Sequence, residues 1–332
     1  MDAGVFVGID YTDFQHLVGR TAHLRESVHA ATGANVAVAA GRTSFVLGLQ
    51  GPCMATDTSC SSGLVAVSVG FDALVTGSCS LALGTGVFAM LLAAGHIAQA
   101  RAGMLSRSGR CFTFDQRADG FMKGEACGAV VLQAQEELQS QLLLRGKSVK
   151  HDGRSASLTA PNGQAQRLLI QEALHAASLE PDQVGVMEAH GTGTTLGDPT
   201  EVSSLYEAVL KHRSSGASPL ILGSLKANIG HAEPAAGLAG LGILALKLAG
   251  GNASPNAQLR ILNQHVTSAL HGAACVLPLQ GAPTCGGQAG GVSSFGYSGT
   301  IAHALLARVE GERRATVPVQ LTRYRRRSFP WL

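Results

Sequence analysis

Short apolar runs alternate with helical stretches along almost the whole chain, and this rhythm restricts the fold more than any other feature. Residues 4–9, 54–57, 81–88, 127–133, 142–149, 184–189, 220–225, 273–277, 288–295 and 300–309 read as strands. Helical patterns at 36–49, 64–76, 96–105, 164–177, 199–210 and 233–249 fall between many of them. Strands that are apolar throughout are buried on both faces, as parallel strands are between layers of helices. The alternation predicts an α/β fold with largely parallel sheets. A strand-loop-helix order shared by the two halves hints at an old duplication.

Composition narrows the class. The 332 residues are 45% hydrophobic and 14% charged, with 42 glycines. That mixture implies a large core with many tight turns, not disorder. The net charge is +3, and the run at residues 323–327 carries much of the basic excess. Without a basic face through the body, nucleic-acid binding is not expected. The seven cysteines form no C-x-x-C pair, so neither zinc nor a disulfide framework is expected. No metal site is foreseen. The cysteine pattern and the absence of a visible signal peptide predict a reducing compartment, cytoplasm or plastid. The apolar stretch 235–251 holds Lys247 and several glycines, and reads as a buried helix rather than a membrane span.

Residues 57–63, Asp-Thr-Ser-Cys-Ser-Ser-Gly, read as a strand end, a sharp turn and a helix start. Cys60 would lie near the helix N-terminus, where free N–H groups and the helix dipole favour a thiolate. A thiolate there is a nucleophile. A buried structural cysteine is the competing reading, and this stretch alone does not separate the two.

Four more glycine-dense stretches hold polar residues. Residues 188–194 read Glu-Ala-His-Gly-Thr-Gly-Thr and put His190 on a loop after a buried strand. The glycines do not fit a dinucleotide loop, and a turn with a capping histidine is the alternative. Residues 226–231, Lys-Ala-Asn-Ile-Gly-His, place Lys226 and His231 before a long helix, where a capped helix start is the plain reading. Residues 197–201 predict a helix start with Asp198 as N-cap, Pro199 first and Glu201 third. Residues 293–300 read as a glycine turn between two strands, for which a hairpin would suffice. One cysteine, two histidines and a lysine on such turns suit acyl-thioester chemistry. The thiolate takes the acyl group, and the imidazoles donate to a thioester oxygen as charge grows there.

Together these stretches resemble a β-ketoacyl synthase (ketosynthase) of the polyketide synthase type. Residues 57–62 match D-T-A-C-S-S with Ser59 for Ala, 188–194 match E-A-H-G-T-G-T, and 226–231 match K-[SA]-N-I-G-H. The runs at 152–163 and 291–300 are similar as well. The resemblance covers about residues 4–307. It implies a thiolase-like, five-layered αβαβα fold built from two similar halves. Residues 4–135 would carry the nucleophile, 136–310 the His/Lys/His site, and 311–332 a basic tail or linker.

The roles implied are these. Cys60 carries the acyl chain, and His190 and His231 bind the malonyl thioester and drive decarboxylation. Lys226 balances charge, paired with Glu201, and Asp198 supports the site. The backbone N–H groups of Cys60 and Tyr297 form the oxyanion hole. No cofactor binds directly. Substrates arrive on the phosphopantetheine of an acyl carrier protein, the partners are acyl and malonyl thioesters, and the enzyme is a homodimer without nucleic-acid or membrane contacts.

Departures from the family's wording are Ile301 for Asn, Ala126 and Gly63 for Gly and Ser, and Lys123 for Arg. The chain opens inside a strand, so an N-terminal truncation is expected, with lower stability and a need for dimerisation. Competing readings are a non-elongating acyl transferase on the same fold and a truncated, non-catalytic dimer partner. A hydrolase nucleophile elbow fits the turn but not the G-x-S-x-G pattern.

Overall fold

In a computed structural model, residues 2–10, 13–134, 142–284 and 287–309 are described. The connector at 135–141, the boundary expected at 135/136, Cys285 and the basic tail from 311 lie outside them. In chain order the first elements are β1 (Ala3–Ile9), α1 (Asp13–Arg20), α2 (Ala22–Arg25), α3 (Ala30–Ala34) and α4 (Val36–Leu47). There follow β2 (Cys53–Thr56), α5 (Ser62–Val75), β3 (Leu81–Phe88), α6 (Ala93–Arg101) and β4 (Ala126–Gln133). After the connector come β5 (Leu142–His151), α7 (Gly163–Ala177), β6 (Val184–Glu188), α8 (Gly197–Ala208), β7 (Leu220–Gly223) and α9 (Lys226–Ile229). The last are α10 (Ala236–Gly250), β8 (Asn252–Ala253), α11 (Gln264–Ala269), β9 (Cys275–Val276), β10 (Ala282–Pro283), β11 (Ala289–Phe295) and β12 (Thr300–Arg308).

Two sheets are stacked. One runs β2-β1-β3-β4 and the other β5-β12-β11-β6-β7-β9. The parallel sheets expected from the sequence carry antiparallel members: β4 runs against β3, and β12 against both β11 and β5. The order β2-β1-β3-β4 recurs as β7-β6-β11-β12, with the same strand directions. This repeat gives the hint of duplication a concrete form.

Helices fill the layers around the sheets. α4 packs outside β1 and β2, α5 and α10 lie between the sheets, and α7, with α8 and α11, covers the far side. The five layers of a thiolase-like α/β fold result. The middle layer is apolar all round because it faces a sheet on either side. Leu64, Val65 and Val67 of α5 meet Leu238, Leu241 and Leu244 of α10, together with Val186, Ile221 and Val292 of the second sheet. The apolar stretch ending at residue 250 is long enough to cross a membrane by length and composition, but it forms this core helix.

Two departures find reasons here. A Cβ on Gly63 would lie 2.8 Å from the Pro234 carbonyl oxygen, so the close approach of α5 to the start of α10 excludes a side chain. Ile301 is fully buried beside Ala165, Leu169 and Phe295, an apolar cluster in which an amide would lose its hydration.

The early helices α1 to α3 and the short α11 have no counterpart in the sequence reading. Their apolar positions are too few for a helical period to emerge. The helix expected at 96–105 begins earlier and ends at Arg101.

Candidate active site

Cys60 lies on a turn ahead of α5. The Ser62 N–H donates to the Ser59 carbonyl at 3.0 Å, closing the turn around Cys60 and Ser61, and α5 begins only at Ser62. Ser59 takes the left-handed backbone with φ 59°. From the second half, the Ser294 hydroxyl donates to the Cys60 carbonyl at 2.7 Å. Gly296 lets β11's end pass close by, since a Cβ there would meet the Thr58 carbonyl at 2.3 Å.

The two histidines come to the site from the end of β6 and from the segment after α9. His231 Nε2 is 3.1 Å from Cys60 Sγ. The His190 and His231 rings stand edge to face with centroids 5.4 Å apart, and Phe121 meets His231 edge-on at 5.0 Å. The Phe295 N–H donates to His190 Nδ1 at 3.2 Å. That bond fixes the neutral tautomer, so Nε2 carries the proton and is the donor.

Both carboxylates near His190 serve its loop. Glu201 accepts from the His190 and Gly191 N–H groups at 2.7 and 2.8 Å. Asp198 accepts from the Phe114 and Gly193 N–H groups at 2.7 and 3.0 Å. This corrects the capping expectation. α8 starts at Gly197, whose N–H donates to the Thr194 hydroxyl at 3.1 Å, and Asp198 points back at the loops instead. Among the described residues no ion pair within 4 Å joins Lys226 to Glu201, contrary to the expected pairing.

Lys226 is buried in the short helix α9, which replaces the expected direct entry into a long helix. The chain then turns at Gly230, φ 82°, to place His231. Glu188 receives the Leu225 N–H at the foot of α9 and pairs with Lys247 of α10 at 2.6 Å, both side chains buried. The sequence reading assigned no role to this pair. Its only signal was a lysine inside an otherwise apolar helix. Lys123, in the place of an arginine, pairs with buried Glu233 at 3.2 Å and sits over the Phe88 ring.

Electrostatics follow from burial. Burial, then Glu233, push the Cys60 thiol up to about 12. Desolvation thus works against the thiolate that the helix end was expected to favour. Burial and the Lys226 charge hold both histidines well below the usual imidazole range. Burial also lowers the Lys226 ammonium, opposed by Glu188 and Glu201. It raises Asp198 to about 6 and Glu201 to about 7.

Cys60, His190, His231, Asp198, Glu201 and Tyr297 all line one cavity of about 380 Å³, whereas Lys226 is not among its lining residues. The 110–124 loop, read from the sequence only as a loop, contributes Phe121 to the wall. Asp152, also on the wall, has an Oδ1 without a hydrogen-bond partner and is raised to about 6 by burial. The cavity thus gathers a thiol and two imidazoles that burial keeps neutral around one space. Such a set can accept an acyl group and stabilise an enolate.

Comparison with known proteins shows the family. The family model "Beta-ketoacyl synthase, N-terminal domain" matches residues 1–137, and "Beta-ketoacyl synthase, C-terminal domain" matches 143–260. One component of the phenolphthiocerol/phthiocerol polyketide synthase of Mycobacterium tuberculosis is 38% identical over 312 residues, covering 91% of this chain and 17% of that protein. Polyketide synthase GfsA of Streptomyces halstedii is 39% identical over 324 residues, covering 96% of this chain and 4% of its own. Among solved structures, the oxazolomycin ketosynthase domain OzmH KS7 of Streptomyces albus superposes with a TM-score of 0.84 at 34% identity. It covers 92% of this chain and 55% of that chain. The module 6 ketosynthase of the Bacillus subtilis bacillaene synthase gives 0.83 at 29% identity, covering 93% and 54%. This chain therefore spans under a fifth of those synthases and about half of those solved chains.

Proposed function

The chain belongs to the β-ketoacyl synthase family, and from that premise we propose that it condenses an acyl group held on Cys60 with a malonyl thioester in polyketide chain elongation. The observation that carries the reading is the contact of 3.1 Å between Cys60 Sγ and His231 Nε2, with the His190 ring beside it in the same cavity.

The sulfur attacks the carbonyl carbon of an acyl thioester while its proton passes to His231 Nε2. The tetrahedral intermediate expels the carrier's thiolate, which takes that proton back. A malonyl thioester then enters, the remaining ring proton of His231 passes from Nδ1 to Nε2 by exchange with solvent, and His190 Nε2–H and His231 Nε2–H donate to the thioester's carbonyl oxygen. The carboxylate leaves as CO2, and the electron pair of the broken C–C bond becomes the enolate. Its carbon attacks the acyl-Cys60 carbonyl, the C–S bond breaks, Cys60 leaves as the thiolate and takes a proton from solvent, and a β-ketoacyl thioester two carbons longer departs. Backbone N–H groups of Cys60 and Tyr297 are placed in the roles of oxyanion donors, and Lys226 in that of holding both imidazoles neutral. Two substrates in turn through a covalent intermediate give ping-pong kinetics.

Acyl and malonyl groups are taken to arrive on the phosphopantetheine of an acyl carrier protein, and the chain to work as a homodimer. Exposed apolar side chains on α4, Phe45, Val46 and Leu47, and Met54 on the edge strand β2 support a covered face there. Mass spectrometry after mixing with an acyl-carrier thioester and then malonyl-carrier tests the function. An acyl mass on the Cys60 peptide, followed by a product two carbons longer, is expected. Loading without a longer product would favour a non-elongating transferase.

A further inference from the structure

The residue before the nucleophile does more than turn the chain. Ser59 stands where the family's wording has alanine, in a left-handed backbone that side chains disfavour. That backbone is held from both sides. The Ser59 N–H donates to Asp57 Oδ1 at 2.8 Å, and the Ser59 carbonyl accepts from the Ser62 N–H and, at 2.6 Å, from the Ser62 hydroxyl. The direction of its side chain is thereby restricted, and Ser59 Oγ lies 3.7 Å from Cys60 Sγ. Among the described residues the sulfur is the hydrogen-bond partner of this hydroxyl.

We propose that the Ser59 hydroxyl donates a hydrogen bond to the Cys60 sulfur and stabilises its negative charge, making Ser59 a catalytic residue of the acyl-transfer step. The proposal rests on the reading of Cys60 as the acylated nucleophile. The charge develops twice. It grows on sulfur as the S–H proton moves to His231, before the forming S–C bond passes it to the carbonyl oxygen, and again when the acyl C–S bond breaks in condensation. A hydroxyl aimed at a charged sulfur strengthens in both transition states and costs nothing in the neutral thiol.

The surroundings make such a donor consequential. Burial, then Glu233, oppose ionisation of Cys60, and Ser59 and Lys226 favour it. An alanine here leaves Lys226 as the larger remaining counterweight.

The test is alkylation of Cys60 by iodoacetamide across pH, followed on the Cys60 peptide because the exposed Cys53 and Cys127 would react as well. In Ser59→Ala the rate near neutral pH should fall roughly three- to tenfold, the change carried by half to one unit of pKa, with the whole profile displaced to higher pH. Thermal unfolding should stay unchanged. Ser59→Gly, which relieves the backbone and also lacks the hydroxyl, should lose the same factor. Superimposable profiles for wild type and Ser59→Ala would overturn the proposal, as would a loss in the alanine variant that glycine restores. A wild-type Cys60 that takes neither iodoacetamide nor an acyl group would instead overturn the nucleophile reading, and this proposal with it.

Discussion

The two sheets share a strand order but not a setting. In the second, β12 lies between β11 and β5 beneath α7, and seven consecutive residues are buried. In the first, β4 alternates half-buried and exposed positions, no described strand pairs its outer side, and Val131 is 67% exposed. Chemistry divides along the same line. Cys60 sits on a turn of the first half, while both histidines, Lys226 and the neighbouring carboxylates sit in the second. The deeply packed half tolerates buried carboxylates because the His190, Gly191 and Gly193 N–H groups donate to them. The shallow half borrows its order: Cys60 is steadied by His231 and Ser294 from across the molecule.

The largest effect should come from the buried ion pair. Lys247→Met leaves Glu188 charged, buried and unpaired, at a cost of roughly 3–5 kcal/mol. Because Glu188 also receives the Leu225 N–H, the lysine loop should loosen too, read as faster amide exchange at residues 224–231. A variant as stable as wild type would break the picture of a polar network embedded in the core.

Core depth is compared directly by Leu305→Ala and Val131→Ala. Leu305 on β12 is 0% exposed, so the cavity should cost roughly 2–5 kcal/mol. Val131 on β4 should stay within about 0.5 kcal/mol. Equal denaturation midpoints would erase the difference between the sheets.

Protonation separates the halves next. Burial holds the Glu201 carboxyl up at about 7, against 4.5 for an ordinary glutamate. Between those values the folded chain keeps a proton that the unfolded chain has lost. The resulting stability is complete below pH 4.5 and is lost as the pH rises to about 7. Glu201→Gln removes this opposing slope, so unfolding free energy should gain about 1.4 kcal/mol per pH unit of upward trend across that window. Its amide would also face a backbone N–H with another donor, lowering stability overall. Urea titrations near pH 5, 6 and 7 check both; parallel trends for variant and wild type would refute the assignment.

The smallest effect belongs to the surface contact between the halves, Lys147 of β5 with Asp72 of α5. Asp72→Asn should change stability by under about 1 kcal/mol, less at high salt, because both groups are partly solvated. A larger loss in a thermal melt would mean that this pair, not the central helices, joins the halves.

Most of the layered fold was legible because buried strands and the central helices are apolar enough to announce themselves. The strand directions were not, since antiparallel β4 and β12 read like their parallel neighbours. The reacting residues were legible through local wording around Cys60, His190 and His231. What joins them was hidden, because Asp198, Glu188 and Ser294 act across tens to hundreds of residues. Asp198 misled for a physical reason: an acid before a proline suits a helix cap, yet the Phe114 N–H, far earlier in the chain, claimed it. The burial of Cys60 was hidden likewise, since helix position is visible in a sequence and desolvation is not.

The division of labour between the halves is tested most directly by measuring acyl loading and CO2 release in one set of variants. Cys60→Ala should take no acyl group from an acyl thioester. His190→Ala should still load Cys60, while it and His231→Ala release CO2 from a malonyl thioester about 10²- to 10³-fold more slowly. Acylation that persists in Cys60→Ala, or undiminished CO2 release in both histidine variants, would contradict the account.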